Sequence, residues 1–91
     1  MTITVAPAYQ VGTKGLKSLK VEGGEIEPAV DIEFFNRGKW TVVGQVDASV
    51  PLQKQEEPLA DQSFGKYRLK AKVKSQPGVF QYSNEFYFKR M

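Results

Sequence analysis

Five basic side chains recur at every second position of one stretch of the chain. They are Lys66, Arg68, Lys70, Lys72 and Lys74, and they alternate with Tyr67, Leu69, Ala71 and Val73. This period of two predicts a β-strand with one buried face and one basic face. Cations spaced along a strand can follow a phosphate backbone, which makes nucleic-acid binding one candidate function. Because the interleaved residues point to the opposite face, no ring of this stretch lies among its cations to stack on bases.

The amino-acid composition argues against catalysis and against metal binding. The chain has no histidine and no cysteine, and so lacks the commonest general base and the commonest metal ligand. Asp31 and Glu33 lie two apart on a predicted strand and share its solvent face, where a carboxylate has no reason for a shifted pKa. The Gly23-Gly24 pair is followed by neither a helix nor a Gly-Lys-Ser/Thr sequence, so it does not predict a phosphate loop. We therefore expect no enzyme, no cofactor and no bound metal.

Size and composition indicate one globular domain over residues 1–91. The chain is 41% hydrophobic and 25% charged, with a formal net charge of +3 and a pI near 9.2. This mildly basic balance permits contact with nucleic acid or anionic surfaces without requiring it. No apolar run approaches the roughly 18–20 residues that cross a bilayer, and the first residues lack the pattern of a secretory signal. We expect neither a transmembrane segment nor a signal peptide.

Short alternating runs separated by glycine and proline predict an all-β fold. A hairpin is the clearest unit: Val30, Ile32 and Phe34 alternate with polar neighbours, and a turn containing Asn36 and Gly38 leads into a second run. The remaining strands are predicted around residues 3–5, 16–21, 48–53, 67–73 and 82–89. A helical turn is the alternative for residues 16–21, although flanking glycines leave it little room. Six or seven such strands predict an antiparallel β-sandwich, with a small barrel as the alternative.

Three stretches of the chain resemble a fibronectin type III module, within the immunoglobulin-like sandwiches. Val30 to Val43, with Trp40 after a glycine turn, resembles the C–C′ hairpin. Phe64-Gly65-Lys66-Tyr67 resembles the E–F corner, where a tyrosine packs back onto the corner. Ser83 to Phe88 resembles the closing G strand. No Arg-Gly-Asp sequence is present, so the integrin-binding activity of some members does not carry over.

The resemblance also carries expectations about the basic stripe and about function. In the family, strand C lies beside strand F, which would place Asp31 and Glu33 opposite Arg68, Lys70 or Lys72. We favour ion pairing within the sheet for the stripe, with protein binding and nucleic-acid binding as alternatives. Free-standing modules of this kind resemble small structural proteins of tailed bacteriophages. The resemblance implies a virion component that docks on a capsid or tail protein, with a homo-oligomer in an assembly as an alternative.

The contact site is expected at one end of the sandwich, where such modules bind through loops. The residues that predict it follow the Pro77-Gly78 turn or flank it: Gln76, Val79, Phe80, Gln81 and Tyr82. Pro-Gly is typical of a type II turn. The alternation of the strands also predicts that three aromatic side chains point outward: Tyr82, Tyr87 and Phe35. Outward-pointing aromatic residues are an alternative interface. Trp40 is expected to pack in the core or at the sandwich edge, with a binding hot spot as the alternative.

Overall fold

Seven β-strands in two sheets form the protein in a computed structural model that describes residues 1–8, 15–52 and 63–88. The strands are β1 (Thr2–Ala8), β2 (Gly15–Glu22), β3 (Ala29–Asn36), β4 (Lys39–Asp47), β5 (Gly65–Lys72), β6 (Phe80–Tyr82) and β7 (Phe86–Phe88). One sheet pairs β1 with β2. The other runs β4-β3-β5-β6, and β7 pairs with the same edge of β5 as β6. All of these strand pairs are antiparallel, so the predicted all-β antiparallel sandwich is confirmed.

The core lies between the sheets, and the alternation of the sequence determines which residues enter it. Tyr67, Leu69 and Ala71 of β5 have no exposed surface, as the period of two predicted. Val30 and Ile32 of β3 are also fully buried. Each fully buried large apolar side chain contributes roughly 1.5–3 kcal/mol to the free energy of unfolding. The buried hydrophobic residues are Ile3, Val5, Leu16, Val30, Ile32, Val46, Leu52, Tyr67, Leu69, Ala71, Phe86 and Phe88.

Tyr67 is the centre of an aromatic cluster at one end of this core. Its ring centroid lies 4.8 Å from that of Phe34, 6.1 Å from Phe86 and 5.6 Å from Phe88. Its hydroxyl donates a hydrogen bond to the backbone carbonyl of Ser63. Because burial disfavours the phenolate, the pKa of Tyr67 is raised above its ordinary value. The side chain therefore joins three strands and also fixes the chain segment that enters β5.

The β3–β4 hairpin closes through a two-residue turn at Arg37 and Gly38. Both have positive φ, 53° and 79°, which is the conformation of a type I′ turn. The turn predicted around Asn36 and Gly38 is therefore confirmed, and its two residues with positive φ are Arg37 and Gly38. A bulge lies in β4, because Ile32 pairs with Gly44 whereas Glu33 pairs with Val42. The turn makes Phe35 and Trp40 directly opposed neighbours.

The strand predicted over residues 48–53 is wrong for residues 48–52, and Gln53 lies outside the described residues. Oδ1 of Asp47 accepts hydrogen bonds from Ser49, at 2.9 Å from the backbone nitrogen and 2.6 Å from the hydroxyl. These bonds lower the pKa of Asp47. The backbone nitrogen of Val50 donates to the carbonyl of Asp47 at 3.2 Å. Local bonds thus turn the chain at the end of β4, where an extended strand would leave these groups to a neighbouring strand.

The strand predicted over residues 82–89 is two short strands, because side chains replace ladder bonds between them. Oγ of Ser83 accepts a hydrogen bond from the backbone nitrogen of Leu69 at 2.8 Å. Asn84 turns toward β1, where its amide accepts from the nitrogen of Val5 at 2.8 Å and donates to the carbonyl of Val5 at 3.1 Å. Asn84 therefore holds β1 against the edge of the larger sheet. Lys89 lies outside the described residues.

Gly65, at the start of β5, is expected to be the glycine least tolerant of a side chain. Its φ is +152°, and a Cβ there would lie 2.7 Å from Cε1 of the Phe34 ring. We expect Gly65→Ala to lower the free energy of unfolding by about 1–3 kcal/mol, because it adds backbone strain to overpacking. Urea unfolding measures the loss. Gly38→Ala is the matched control, since φ is +79° there but no atom lies within 4 Å of the added carbon. Equal losses for the two variants would contradict the packing part of this explanation.

Candidate interface on the five-stranded sheet

The site is built on the side of the larger sheet that faces away from β1 and β2. Strand pairing places Asp31 opposite Lys70 and Glu33 opposite Arg68, as the resemblance implied. The same pairing aligns Phe35 with Trp40 and Lys70 with Tyr82. We call this surface the outer face. Its side chains are Asp31, Glu33, Phe35, Trp40, Val42, Gln45, Lys66, Arg68, Lys70, Lys72, Phe80, Tyr82 and Tyr87.

Arg68 is held at the centre of the outer face by three side chains. Its Nε lies 2.7 Å from Oε1 of Glu33. Its guanidinium carbon lies 4.1 Å from the ring centroid of Trp40 and 4.0 Å from that of Tyr82. A planar guanidinium suits both contacts, since its edge donates hydrogen bonds while its faces stack on rings. The arginine is therefore fixed in position and its charge is largely compensated.

Glu33 is buried, and the prediction that it lies exposed on the solvent face is wrong. Its side chain keeps only 8% of its accessible surface. The carboxylate shares the outer face with Asp31, as expected, but Arg68 covers it and the rings of Trp40 and Tyr82 cover Arg68. The prediction used only the alternation within β3, whereas the burial comes from side chains of β4, β5 and β6. The Glu33 carboxylate is therefore paired with the Arg68 guanidinium and largely shielded from solvent.

Lys66 and Lys70 also lie against aromatic rings. Nζ of Lys66 lies 4.5 Å from the ring centroid of Phe35 and 3.5 Å from Oε1 of Glu85. Nζ of Lys70 lies 4.3 Å from the ring centroid of Phe80. Cations and rings are thus interleaved on the outer face, although the sequence of β5 alone predicted the opposite. The rings come from the neighbouring strands, so the pattern appears only once the strands are aligned.

The far end of the predicted basic stripe differs from its centre. Lys72 is exposed and pairs with Phe80 across β5 and β6. Lys74 lies beyond the end of β5 in a turn, where its backbone nitrogen donates to the carbonyl of Glu25 at 2.9 Å. It lines a groove between that turn and the β2–β3 connection. Four of the five basic residues therefore lie on β5. The prediction that Lys74 continues the basic face of this strand is wrong.

The five residues predicted as a loop contact site do not share one surface. Phe80 and Tyr82 belong to β6 and lie on the outer face. Gln76 and Gln81 line the groove beside Lys74, which has a volume of about 380 Å³. Val79 closes the Pro77-Gly78 turn by donating its backbone nitrogen to the carbonyl of Gln76 at 3.1 Å, and Gly78 has a φ of 81°, as the predicted type II turn requires. The structure does not bring the five together as one loop site.

Trp40 lies on the outer face of β4, the outermost described strand of its sheet, and not in the core. Its ring is half-buried and packs edge-on against Phe35, with centroids 5.1 Å apart. The edge alternative for Trp40 is therefore correct and the core alternative is wrong. The hairpin itself carried the missed signal: a turn closed by Asn36 and Lys39 makes Phe35 and Trp40 an opposed pair on the side of Glu33.

Large apolar side chains remain exposed around this fixed centre. Val42 is 51% exposed, Tyr87 46%, Tyr82 45% and Phe80 39%. They flank the charged columns of β3 and β5 from both sides, because Val42 lies on β4 and the others lie on β6 and β7. The outer face thus combines compensated charges at its centre with accessible rings and methyl groups at its margins.

Within residues 1–8, 15–52 and 63–88, no three acidic side chains come close enough together to hold a metal ion. The same part of the chain contains no helix with the length and hydrophobicity needed to span a membrane.

Comparisons of the chain with protein-family models, with curated proteins and with solved structures found no match. The class of the protein therefore rests on its own fold and site. It is an antiparallel β-sandwich that presents a sheet face of interleaved aromatic and cationic side chains.

Proposed function

We propose that the chain is a non-enzymatic binding module whose outer face docks on a neighbouring protein. The observation that carries the proposal is the exposure of Val42, Tyr82 and Tyr87 around the fixed Arg68. Tyrosine, tryptophan and arginine are the residues most enriched at the energetic centres of protein interfaces. Apolar residues at the margins exclude water from such a centre when a partner covers it.

The fixed geometry of the outer face favours binding. Arg68 is held by Glu33, Trp40 and Tyr82, and Lys66 is held by Glu85 and Phe35. Ordering a free, rotamer-rich side chain at an interface costs about 0.5–1.5 kcal/mol. Much of that cost is already met in the folded chain. The outer face therefore supports docking better than the same residues would on a mobile loop.

The finer class that we propose is an immunoglobulin-like sandwich of the fibronectin type III kind. Two observations support it. The strand grouping β1–β2 against β4-β3-β5-β6 corresponds to A–B against C′–C–F–G in that class. The bond from the Tyr67 hydroxyl to the carbonyl of Ser63, four residues upstream, resembles the tyrosine corner at the start of strand F.

The setting that we propose is the particle of a tailed bacteriophage, as a capsid decoration, tail or baseplate component. The support is the resemblance of such a sandwich to small structural proteins of these particles, and a fold by itself does not determine function. Electron microscopy and mass spectrometry of purified particles test the setting. We expect the chain at a fixed copy number per particle. Its consistent absence from particles would remove the setting and leave the docking proposal intact.

Docking is tested by co-purification of the partner with two variants, one substituted on the outer face and one on the other sheet. Val42→Glu places a charge at the margin of the outer face, and Lys20→Glu changes an exposed position on β2 in the other sheet. We expect a partner held by the wild-type chain at defined stoichiometry to be retained by Lys20→Glu and lost by Val42→Glu. Both variants should unfold in urea near the wild-type midpoint. Retention by both, or loss by both, would contradict docking through the outer face.

Nucleic-acid binding is the second candidate, because Lys70 and Lys72 lie beside Phe80 and Tyr82. Such interleaving is typical of single-strand binders. Lys66 and Arg68 are compensated by Glu85 and Glu33, however, which leaves few cations for phosphates. This candidate predicts binding to single-stranded DNA or RNA that weakens steeply with salt. Unchanged binding after Lys70→Glu with Lys72→Glu would exclude the basic strand as its site.

A further inference from the structure

We infer that the partner on the outer face is a second copy of this chain, packed face to face about a two-fold axis. The inference rests on the proposed function, since it uses the same surface and names its occupant. The evidence for a second copy is the arrangement of acidic and basic side chains on two neighbouring strands. Two acidic residues of β3, Asp31 and Glu33, lie at the same heights as two basic residues of β5, Lys70 and Arg68.

A two-fold axis parallel to the strands, placed between β3 and β5, makes this pattern complementary to itself. Rotation about that axis exchanges left and right but keeps height along the strands. It therefore places β5 of one copy over β3 of the other. Because Asp31 and Lys70 are at the same height, each Asp31 then faces the Lys70 of the second copy. Face-to-face packing of two aligned sheets, about 10 Å apart, is a common arrangement.

Asp31 and Lys70 are the opposite charges that this arrangement brings together. Within the described part of the chain, Asp31 accepts a hydrogen bond from Nε2 of Gln45 at 2.8 Å, and Lys70 lies over the ring of Phe80. The two side chains oppose each other across the strands, but each turns to a different neighbour, and no ion pair joins them. Glu33 and Arg68, one row away, are paired within the chain. We call the Asp31 and Lys70 positions the open row, because a second copy can pair these two charges.

The margins of the outer face fit the same arrangement. The rotation exchanges the positions of β4 and β6–β7, so the margin carrying Trp40 and Val42 lies over the one carrying Tyr82 and Tyr87. Exposed apolar groups thus meet exposed apolar groups on both sides of the charged rows. The principal extents of the chain are 40 × 31 × 17 Å. A broad face of that size can supply the roughly 800 Å² per partner of a standard interface.

Charge reversal at the open row tests the inference by measurement of molecular mass in solution. We expect the wild-type chain to form a dimer at high micromolar concentration in analytical ultracentrifugation. Asp31→Lys alone and Lys70→Asp alone each place like charges in both symmetric contacts, so each should weaken dimerisation roughly tenfold or more. A mixture of the two variants should form a heterodimer. In it the lysine introduced by the first substitution faces the aspartate introduced by the second, and the native Lys70 of one copy faces the native Asp31 of the other.

The mixture separates contact between copies from effects within one chain. Each variant keeps its own like-charge pair across β3 and β5, so only contact between copies can restore association in the mixture. A wild-type chain that stays monomeric, variants that dimerise as well as the wild type, or a mixture that stays monomeric would each overturn the inference. If the wild type is monomeric and co-purification of a different protein still depends on Val42, docking through the outer face stands and only the second copy is wrong. If both fail, the proposed function fails too.

Discussion

Tyr67→Ala is expected to remove about 3–5 kcal/mol from the free energy of unfolding, because it deletes a fully buried aromatic ring. The side chain has no exposed surface and packs against Phe34, Phe86 and Phe88. Domains of this size have a total stability of roughly 5–15 kcal/mol, so the variant should be close to unfolding at ambient temperature. Urea unfolding monitored by circular dichroism measures the loss.

Tyr87→Ala is the matched control for this prediction, because it removes the same side chain from a position that is 46% exposed on the outer face. We expect a loss of about 1 kcal/mol or less, as is usual for partly exposed positions. Similar losses for the two tyrosines would contradict the assignment of Tyr67 to the centre of the core.

Tyr67→Phe separates the hydroxyl from the ring. The variant keeps the ring contacts and loses the hydrogen bond to Ser63, so we expect a loss of about 1 kcal/mol at neutral pH. Burial raises the pKa of Tyr67 in the folded chain above the value near 10 of the unfolded chain. The stabilisation from the neutral hydroxyl is therefore complete below about pH 10 and declines as the pH rises through the folded-state pKa. Above pH 10 the wild type should lose stability more steeply than Tyr67→Phe, and identical alkaline slopes would contradict the buried hydroxyl.

The pair of Glu33 and Arg68 should show the second largest effect. Glu33→Gln leaves a guanidinium between two rings without its carboxylate, so we expect a loss of about 2–3 kcal/mol in the free energy of unfolding. Arg68→Lys keeps the charge but loses the planar stacking on Trp40 and Tyr82, with an expected loss of about 1–2 kcal/mol. The emission of Trp40, the one tryptophan of the chain, should shift in both variants because its packing changes.

A double replacement is the control for the charge pair. Glu33→Leu combined with Arg68→Met removes both charges and keeps apolar volume on the outer face. Replacing both members of a covered ion pair is often nearly neutral for stability, whereas removing one is costly. We therefore expect the double variant to be more stable than Glu33→Gln. Strictly additive losses in a double-mutant cycle would show that the two side chains do not interact in solution.

The inner face of the sheet could be predicted from the sequence because it depends on single strands. The alternation of Tyr67, Leu69 and Ala71 with basic residues assigned these three side chains to the core without knowledge of any neighbour. The positions of Asp31 and Glu33 opposite Lys70 and Arg68 needed one further step, the adjacency of two strands, and the family resemblance supplied it. Periodicity and strand order were sufficient for this part of the structure.

The outer face could not be predicted in the same way, because it depends on four strands at once. Arg68 of β5 lies between Trp40 of β4 and Tyr82 of β6. Its contacts therefore depend on the registers of three strand pairs, β3–β4, β3–β5 and β5–β6. The burial of Glu33 follows from that arrangement and not from its own strand. Local side-chain bonds account for other errors: Asp47 turns the chain where a strand was predicted, and Asn84 leaves the ladder to bind β1.

Contact through the outer face is tested most directly by a photo-reactive amino acid at Val42. This position lies opposite Glu33 at the margin of the face and is 51% exposed. The matched probe at Lys20 lies on the other sheet. After irradiation in the producing cell, we expect one defined protein adduct from position 42 and none from position 20. An adduct of twice the mass of the chain identifies the second copy, whereas one with another protein supports docking alone. No protein adduct at position 42, or equal adducts at both positions, would contradict the proposal that the outer face is a contact surface.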